Sequence, residues 1–376
     1  MALKNTRVRL YKTVRTAHLE RAHQLAPAAL VYRVRRYDFD DSLAEGLELV
    51  EAGAWSAAKL IAGSRIRALE INEPLWREIM PGAVLAVAAT AFRRRGTPRP
   101  IVVTYIIGNT DPFEGTPSGW SPRALRARVR ARIDRALGRY LWNRLDRIVY
   151  GTPDARDNYR RILGAPRRAQ ERLIVSLPAR PDDVPTGARP ARVVFLGAFV
   201  ERKGFDLVLD AWPLVRMARP DAQLLIMGKG PLEDRARDLA ARDDAVELLV
   251  DPSRDTIRAR LATCRVLALP SQRTPTWREQ VGLPIVEGLE QGCRIVTTTE
   301  GGLAPWLAEN GHSVIAAPST SQDVASAIIA QLDAGDDPTV VLDTLPERDG
   351  RLEADDWLMK PTLAGIDERS ATAAGR

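Results

Sequence analysis

The second half of the chain alternates short apolar runs with amphipathic stretches. The apolar runs are 192–197, 223–228, 246–250, 265–270 and 294–298, and the stretches between them are 205–217, 232–242, 256–262 and 281–291. Short runs rich in Val, Ile and Leu predict buried strands, and the amphipathic stretches predict helices. Because strand and helix alternate, we expect a doubly wound α/β domain, with a parallel sheet covered on both faces.

The first half has a similar but less regular pattern. Candidate strands are 28–34, 66–71, 101–107 and 147–151, and candidate helices are 42–51, 55–62, 74–93 and 122–143. A proline-rich polar segment at 178–190 predicts a linker. We therefore expect two domains, an N-terminal one over 1–184 and a C-terminal one over 185–340, both Rossmann-like and facing a central cleft. The tail, 341–376, is expected to be partly helical. It could cross back and pack on the first domain.

The amino-acid composition excludes few classes of binding partner. The 376 residues include 55 Lys and Arg against 48 Asp and Glu, a net charge of +7. This excess favours anionic partners without choosing among nucleotide, nucleic acid and membrane. No nucleic-acid-binding motif is present, so nucleic acid is not expected. Lysine occurs only six times, which makes Lys203 more informative than any single arginine.

Cysteine content and hydrophobicity indicate the compartment. Cys264 and Cys293 are too few for a disulfide scaffold or a cysteine zinc site, and we expect both to be buried free thiols. No run of about 18 apolar residues occurs, so no membrane-spanning helix is expected. The interpretation at this stage is a cytoplasmic protein that could bind peripherally to the inner face of the membrane.

Glycine-rich turns follow two of the predicted strands of the second half. The first runs from Gly197 to Gly204 and carries Arg202 and Lys203, which suits an anion site. The second contains Gly228 and Gly230, where the missing side chains would let a ligand approach the main chain closely. Taken singly, each turn is equally consistent with an ordinary connection between strand and helix.

The segment from Glu279 to Glu287 is more specific. Pro284 suits the first turn of a helix, which places Glu279 in the preceding loop and Glu287 in the early helix. The N–H groups that start this helix would be available to phosphate oxygens, and they belong to Val281, Gly282 and Leu283. Carboxylates on either side can accept hydrogen bonds from sugar hydroxyls. The pattern predicts a nucleotide-sugar site, although a solvated loop glutamate and a helix-start glutamate would look the same.

Residues 192–332 resemble the donor domain of retaining glycosyltransferase family 4, which has the GT-B fold. The matching pieces occur in the family's order and are FLGAFVERKGFDLVLDAW, LLIMGKGP, ALPSQR, EQVGLPIVEGLEQGCRIVTTTEGG and ENGH. The N-terminal half is similar to the acceptor domain more weakly, through ALEINEPLW, VVTYIIGNTDPF and RIVYGTPDARDNYRRILG. The resemblance implies two Rossmann-like domains around a cleft.

The resemblance also implies roles for individual residues. It implies that Glu287 holds the ribose hydroxyls, that Glu279 holds the donor sugar and that Lys203 neutralises the pyrophosphate. Val281, Gly282 and Leu283 would contribute main-chain contacts, and Gly228 and Gly230 would lie near the base and ribose. Gly197 would also line the substrate site.

Two positions depart from the family. Ala198 stands where an arginine is common, which leaves Arg202 to supply the second charge. Ile106 stands where a histidine is common, with Asn109 or Thr104 as the substitutes.

The implied activity is transfer of a sugar from a nucleotide diphosphate sugar to an acceptor hydroxyl, with retention at the anomeric carbon. The acceptor would be a glycan, a glycolipid or a cell-envelope precursor. The resemblance implies no cofactor and no metal ion, because cationic side chains and a helix dipole would stabilise the diphosphate. The alternative is a GT-B-like binding subunit without turnover. Slow hydrolysis of the donor would distinguish the enzyme from such a subunit.

The stretch 122–143 combines an apolar stripe with a basic surface. The stripe has helical spacing and comprises Leu125, Val129, Ile133, Leu137, Tyr140 and Leu141. Seven arginines cover much of the remainder, against Asp134 as the one acid. Two interpretations stay open at this stage. The stripe packs on the sheet and leaves a solvated basic face, or the helix binds anionic lipid headgroups and brings the protein to its acceptor.

Overall fold

The structure is a computed structural model that describes residues 2–36, 39–92, 98–183 and 187–360. The strands of the first half are β1 (Arg7–Leu10), β2 (Thr13–Val14), β3 (Ala29–Tyr32), β4 (Val34–Arg35), β5 (Glu48–Glu51), β6 (Ala68–Ile71), β7 (Ile101–Ile106), β8 (Arg147–Tyr150) and β9 (Gln170–Leu173). Its helices are α1 (Thr16–Gln24), α2 (Ala54–Gly63), α3 (Met80–Ala89), α4 (Pro122–Trp142) and α5 (Pro153–Leu163).

The second half contains the remaining elements. Its strands are β10 (Arg192–Ala198), β11 (Gln223–Lys229), β12 (Val246–Val250), β13 (Val266–Leu269), β14 (Arg294–Thr298) and β15 (Ser313–Ile315). Its helices are α6 (Phe205–Ala218), α7 (Glu233–Arg242), α8 (Arg254–Leu261), α9 (Leu283–Glu290), α10 (Ala304–Glu309), α11 (Ser321–Asp333) and α12 (Thr339–Leu342). A final helix, α13 (Gly350–Met359), follows.

Two parallel sheets organise the described residues. The first has the strand order β5-β3-β1-β6-β7-β8-β9, and the second has the order β12-β11-β10-β13-β14-β15. Neighbouring strands pair in parallel throughout, and β10 pairs with β11 from Arg192–Gln223 to Ala198–Lys229. Each order reverses beside its first strand, which is the arrangement of a doubly wound sheet. The predicted fold class is confirmed.

Each sheet is packed in its own hydrophobic core. In the second half, strands β10, β11 and β13 are buried almost end to end, as expected for strands covered on both faces. Phe199 and Phe205 stack with ring centroids 4.4 Å apart beneath the first glycine-rich turn. Cys264 and Cys293 are buried free thiols, as predicted, and burial raises the pKa of the Cys264 thiol to about 11. The core therefore fixes the strand ends that carry the candidate site.

Two predictions for the first half are wrong. The predicted helix over 42–51 is instead a short 3₁₀ turn, Asp41–Ala44, followed by strand β5. Gly46 has a φ of 78° and ends the turn, and the residues after it pair with β3 at the sheet edge. The predicted helix over 74–93 begins only at Met80, since Pro81 suits a first turn. Strand β1 was not predicted, because two of its four residues are arginines and the segment therefore lacks a continuous apolar run.

The final helix packs against the first sheet. It contacts β7 and β8, where Ala354 and Leu358 join a cluster with Val103 and Val149. A buried group of four charges fixes the contact: Arg9, Glu70, Arg351 and Asp355. The chain therefore passes from the first half to the second and returns. Residues 184–186 of the predicted linker and 361–376 of the tail lie outside the described residues.

Candidate functional site

A lysine, a glutamate and a serine meet at the carboxyl edge of the second sheet. The turn after β10 places Lys203 Nζ 2.5 Å from Glu279 Oε2. Ser271, which follows β13, donates a hydrogen bond of 2.9 Å from its Oγ to the same oxygen. Glu279 is 6% exposed and Ser271 is fully buried. Two of the predicted site residues are thus in direct contact, with the carboxylate oriented from two sides.

The glycine-rich turns lie against each other at the same edge. A Cβ atom on Gly228 would lie 1.9 Å from the carbonyl oxygen of Gly197, and one on Gly230 would lie 2.7 Å from that of Phe199. Gly228 and Gly230 also have φ values of 146° and 158°, which disfavour any other residue. The backbone of Gly228 therefore lies against that of Gly197, and the backbone of Gly230 against that of Phe199. This close packing requires glycine at 228 and 230, and ligand binding at these turns stays a prediction.

Arg202 and Lys203 both lie over one indole ring. The Cζ atom of Arg202 is 4.3 Å from the ring centroid of Trp277, and Lys203 Nζ is 5.1 Å from it. A cation over an aromatic face is attracted to it and held in orientation. The second positive charge expected from Arg202 is therefore beside Lys203. Trp277 itself was missed by the sequence analysis, because an isolated tryptophan in a loop has no periodic pattern.

The loop after Glu279 turns into α9 as predicted. Gly282 precedes the helix with a φ of 77°, and Pro284 occupies its first turn. A Cβ on Gly282 would lie 3.5 Å from Glu279 Cγ, so the helix start adjoins the carboxylate. The first N–H groups of a helix have no partner within the helix. Val281, Gly282 and Leu283 thus present main-chain donors next to Glu279, the geometry that an anion requires.

Glu287 lies on α9 away from Lys203 and contacts a different residue. Its Oε1 is 3.4 Å from Arg254 Nη2, and Arg254 Nε is 3.0 Å from Glu20 Oε1 of the first half. Burial raises the pKa of the Glu287 carboxyl, while the nearby Arg254 guanidinium partly lowers it. The carboxylate is thus held by a cation at the interface between the halves. Arg254 was missed because a single arginine carries little information in this composition.

Asn109 reaches the donor half, whereas the other candidate substitute for the missing histidine does not. Asn109 Nδ2 donates to the main-chain oxygen of Glu279 at 2.7 Å, and the residue is 4% exposed. Thr104 is fully buried within β7, as is Ile106. Arg278, beside Glu279, was also missed, and it pairs with Glu300 Oε2 at 2.7 Å. The site is therefore built from both halves of the chain.

Helix α4 carries its basic surface, and the two ends of its apolar stripe differ. Leu137, Tyr140 and Leu141 pack against the core of the first sheet, as the packing interpretation requires. Leu125, Val129 and Ile133 are exposed by 53%, 46% and 51%. The buried face carries small residues and a carboxylate, and comprises Ala124, Ala131, Asp134, Gly138, Leu141 and Trp142. Asp134 pairs with Arg77 at 2.6 Å. The small side chains bring this face close to its neighbours, and Leu125, Val129 and Ile133 on the opposite side remain in solvent. The packing interpretation is wrong for these three residues.

None of the helices in the described residues is long and apolar enough to cross a membrane.

Comparison with known proteins defines the class. The chain aligns with the crystal structure of Anabaena Alr3699/HepE in complex with UDP, with a TM-score of 0.63 and 14% identity over 94% of this chain and 95% of that one. It also aligns with sucrose-phosphate synthase from Thermosynechococcus elongatus, with a TM-score of 0.57 and 16% identity over 94% and 95%. The GT-B fold is confirmed.

The second half of the chain also matches a known family in sequence. Residues 190–334, less than half of the chain, match the family model of glycosyl transferases group 1. An uncharacterized glycosyltransferase, YqgM of Bacillus subtilis, is 30% identical over 34% of this chain and 35% of its own length. A GDP-mannose-dependent phosphatidylinositol monomannoside mannosyltransferase of Mycolicibacterium smegmatis is 31% identical over 39% of each protein. The chain thus spans little more than a third of these curated relatives.

Proposed function

We propose that this protein transfers a sugar from a nucleotide diphosphate sugar to an acceptor hydroxyl, with retention at the anomeric carbon. The observation that carries the proposal is the contact between Lys203 and Glu279 beside the start of α9. A cation and main-chain N–H groups next to a carboxylate fit a diphosphate joined to a sugar. The group 1 family match of the same half supports this assignment.

The proposed reaction divides the work between these groups. The bond between the anomeric carbon and the diphosphate oxygen breaks, and the acceptor oxygen forms a new bond on the same face. The acceptor proton passes to an oxygen of the departing diphosphate, so no side chain acts as general base. Lys203, Arg202 and the N–H groups of α9 stabilise the growing negative charge. Glu279 orients the sugar through its hydroxyls, and Glu287 holds the ribose.

A screen of donors tests the proposal. UDP is bound in the crystal structure of HepE, and the mycolicibacterial relative is named as GDP-mannose-dependent. We expect one class among UDP-, GDP- and ADP-sugars to raise the melting temperature, because a ligand that binds the folded state stabilises it. The selected donor should then be hydrolysed slowly and transferred rapidly once an acceptor is supplied.

The alternative function is a binding subunit without turnover, motivated by Ile106 and Ala198. It predicts the same thermal shift but no release of nucleotide from any donor. The carboxylate of Glu279, held by Lys203 and Ser271, would bind the sugar in either case, so turnover of the donor is what separates the two functions. A donor that binds and remains intact through long incubation would establish the alternative.

We further propose that α4 binds an anionic membrane surface, where a lipid-linked acceptor would be found. The exposed stripe of Leu125, Val129 and Ile133 is flanked on the helix surface by arginines, which include Arg126 on one side and Arg132 on the other. Trp120, 93% exposed, stands just before the helix. Apolar residues between cations suit the boundary between headgroups and acyl chains, and each cation contributes about 1 kcal/mol near an anionic surface.

Co-sedimentation with lipid vesicles tests the surface. We expect binding to vesicles that contain phosphatidylglycerol, little binding to pure phosphatidylcholine, and weaker binding as salt rises. Replacing Leu125, Val129 and Ile133 by serine should abolish binding, whereas Met217→Ser, at a residue 77% exposed on α6, should not. Equal and negligible sedimentation with both lipids at low salt would contradict the proposal and favour a soluble acceptor.

A further inference from the structure

Two contacts between the halves of the chain flank Glu279. Arg278 lies in the donor half, and its Nη2 atom is 3.4 Å from Asp154 Oδ2 in the first half while its Nε is 2.7 Å from Glu300. Asn109 Nδ2, also in the first half, donates to the main-chain oxygen of Glu279 at 2.7 Å. We call Asn109, Asp154, Arg278 and Glu300 the clasp.

The clasp is shielded from water. The side chains of Arg278, Asp154 and Glu300 are exposed by only 21%, 30% and 15%. Another pair that joins the halves, Arg273 and Glu114, has distances of 2.7 and 2.8 Å but exposures of 46% and 51%. Charged hydrogen bonds are weak where water competes and stronger where it is excluded. The exposed pair is therefore a matched control for the clasp.

Glu279 is held from both halves at once. Lys203 and Ser271 hold its carboxylate from the donor half, and Asn109 holds its main chain from the other. Separation of the halves breaks the Asn109 contact and leaves those of Lys203 and Ser271 in place, together with the longer 3.3 Å hydrogen bond from Gly302 N–H to the same carbonyl oxygen. Asn109 Oδ1 is buried without a hydrogen-bond partner among the described residues, which costs free energy in the closed arrangement. The contact is thus suited to release and re-formation.

We infer that the clasp makes the position of Glu279 depend on closure of the two halves, so that a donor bound to the open protein is not cleaved. Asn109 and Arg278 are then positioning residues, acting through Glu279 on a donor that they need not touch. The inference rests on the proposed glycosyl transfer. Its consequence is protection of the donor from water until the acceptor half has closed.

Kinetics separate this role from a role in binding. Asn109→Ala and Arg278→Ala should lower kcat for transfer by about 10- to 100-fold, since small displacements of a reacting group have effects of that size. The dissociation constant for UDP or GDP, whichever the protein binds, should change less than about twofold. Arg273→Ala should match the wild type in both measurements. Equal losses in kcat and in nucleotide affinity, or no loss in kcat, would overturn the inference.

A double variant tests whether the clasp acts as a unit. Asp154→Ala combined with Arg278→Ala should lower kcat no more than the larger single effect, because both remove the same contact. Losses that multiply would show that the two residues act independently and would refute the clasp.

Hydrogen exchange provides a measurement that needs no turnover. Amides of the loop 278–282 should exchange faster in Asn109→Ala than in the wild type, and at the wild-type rate in Arg273→Ala. Unchanged exchange in Asn109→Ala would refute the clasp even in an active enzyme. Absence of any donor cleavage by the wild type would instead refute the proposed function, and the exchange result would still stand.

Discussion

At the scale of single residues, Lys203 and Glu287 decide whether the donor site works. We expect Lys203→Ala to cost about 2–4 kcal/mol of transition-state stabilisation, because a charge-assisted contact to the leaving diphosphate is lost. Glu287→Ala should abolish transfer as well, by removing the acceptor for the ribose hydroxyls. Glu287 lies outside the apolar core, so Glu287→Ala should keep a melting temperature near that of the wild type. Lys203→Ala leaves the buried Glu279 carboxylate without its cation and should lower the melting temperature, so activity is compared at a temperature where both variants are folded.

Steady-state kinetics and thermal denaturation of the purified variants check this prediction. Lys59→Ala is the control for Lys203, since Lys59 is exposed on α2. Full activity in Lys203→Ala would show that the diphosphate lies elsewhere.

His312 makes the stability of the donor half sensitive to acid. Burial lowers its pKa from 6.5 to about 4, with a smaller contribution from Arg294. Its Nδ1 accepts a hydrogen bond from the Ile295 N–H at 3.1 Å, and protonation at Nδ1 would set two N–H groups against each other. The unfolded chain binds the proton more readily, so stability is complete above about pH 6.5 and falls as the pH drops towards 4.

The difference in pKa corresponds to about 3 kcal/mol of unfolding free energy by pH 4. His312→Asn, whose side-chain oxygen can accept from Ile295, should lose less stability between pH 7 and pH 4 than the wild type. His23→Asn, at an exposed position, should not alter the pH dependence. Denaturant titrations at both pH values measure this, and parallel acid sensitivity in all three proteins would contradict the assignment.

At the scale of elements, α13 is held on the first sheet by buried charges. Asp355 is 1% exposed and accepts from Arg9 Nη2 at 2.7 Å, and Glu70 pairs with both Arg9 and Arg351. Removal of one partner leaves a buried charge without compensation, which typically costs about 3–5 kcal/mol. Asp355→Ala should lower the unfolding free energy by that amount. The neighbouring Asp356→Ala should have little effect, because Asp356 pairs with Arg348 at the surface. Equal destabilisation in urea titrations would refute the prediction.

The sequence predicted elements well where burial on both faces produced continuous apolar runs. Strands β12 and β14 have the predicted bounds, and β10 and β11 each extend one residue further. Prediction failed where contacts between distant parts of the chain determine the secondary structure or the buried face. Strand β1 carries Arg9, whose burial depends on acids distant in the chain, and the edge strand β5 has the composition of a helix. The buried face of α4 consists of small residues and Asp134, which no hydrophobic pattern reveals.

The candidate site likewise has a part that the sequence predicted and a part that it did not. The loop to α9, the glycine turns and Lys203 have local signatures, because each lies in a short run of glycine, proline or charged residues that directly follows a strand or starts a helix. Ser271, Trp277 and Arg278 have none, since each acts through residues that only folding brings near. Contacts of Asn109 and Arg254 with the opposite half require the relative placement of the two sheets. That placement leaves no periodic signal in the sequence.

At the scale of the whole molecule, the proposed chemistry is independent of divalent metal ions. In the proposed mechanism, Lys203, Arg202 and the start of α9 would supply the positive charge that a metal ion would otherwise provide to the diphosphate. We therefore expect the rate of transfer to be the same with and without EDTA. The assay uses the donor selected by thermal shift, with the protein dialysed against chelator. A large loss of rate that Mg²⁺ or Mn²⁺ restores would show that a metal ion takes part.

The return of α13 to the first sheet affects the order in which a nascent chain can fold. Arg9 and Asp355 are 346 residues apart, so the ribosome adds Asp355 long after the first sheet has emerged. The first sheet ends at Leu173, and Asp355 follows 182 residues later, so at about 5–20 residues per second the interval is roughly 10 to 35 seconds. Throughout it, Arg9 has Glu70 but lacks its second carboxylate, and the surface that receives Leu358 is exposed to water. Of the two halves, the one translated earlier is thus completed later, and its uncovered surface is open to a chaperone in the meantime.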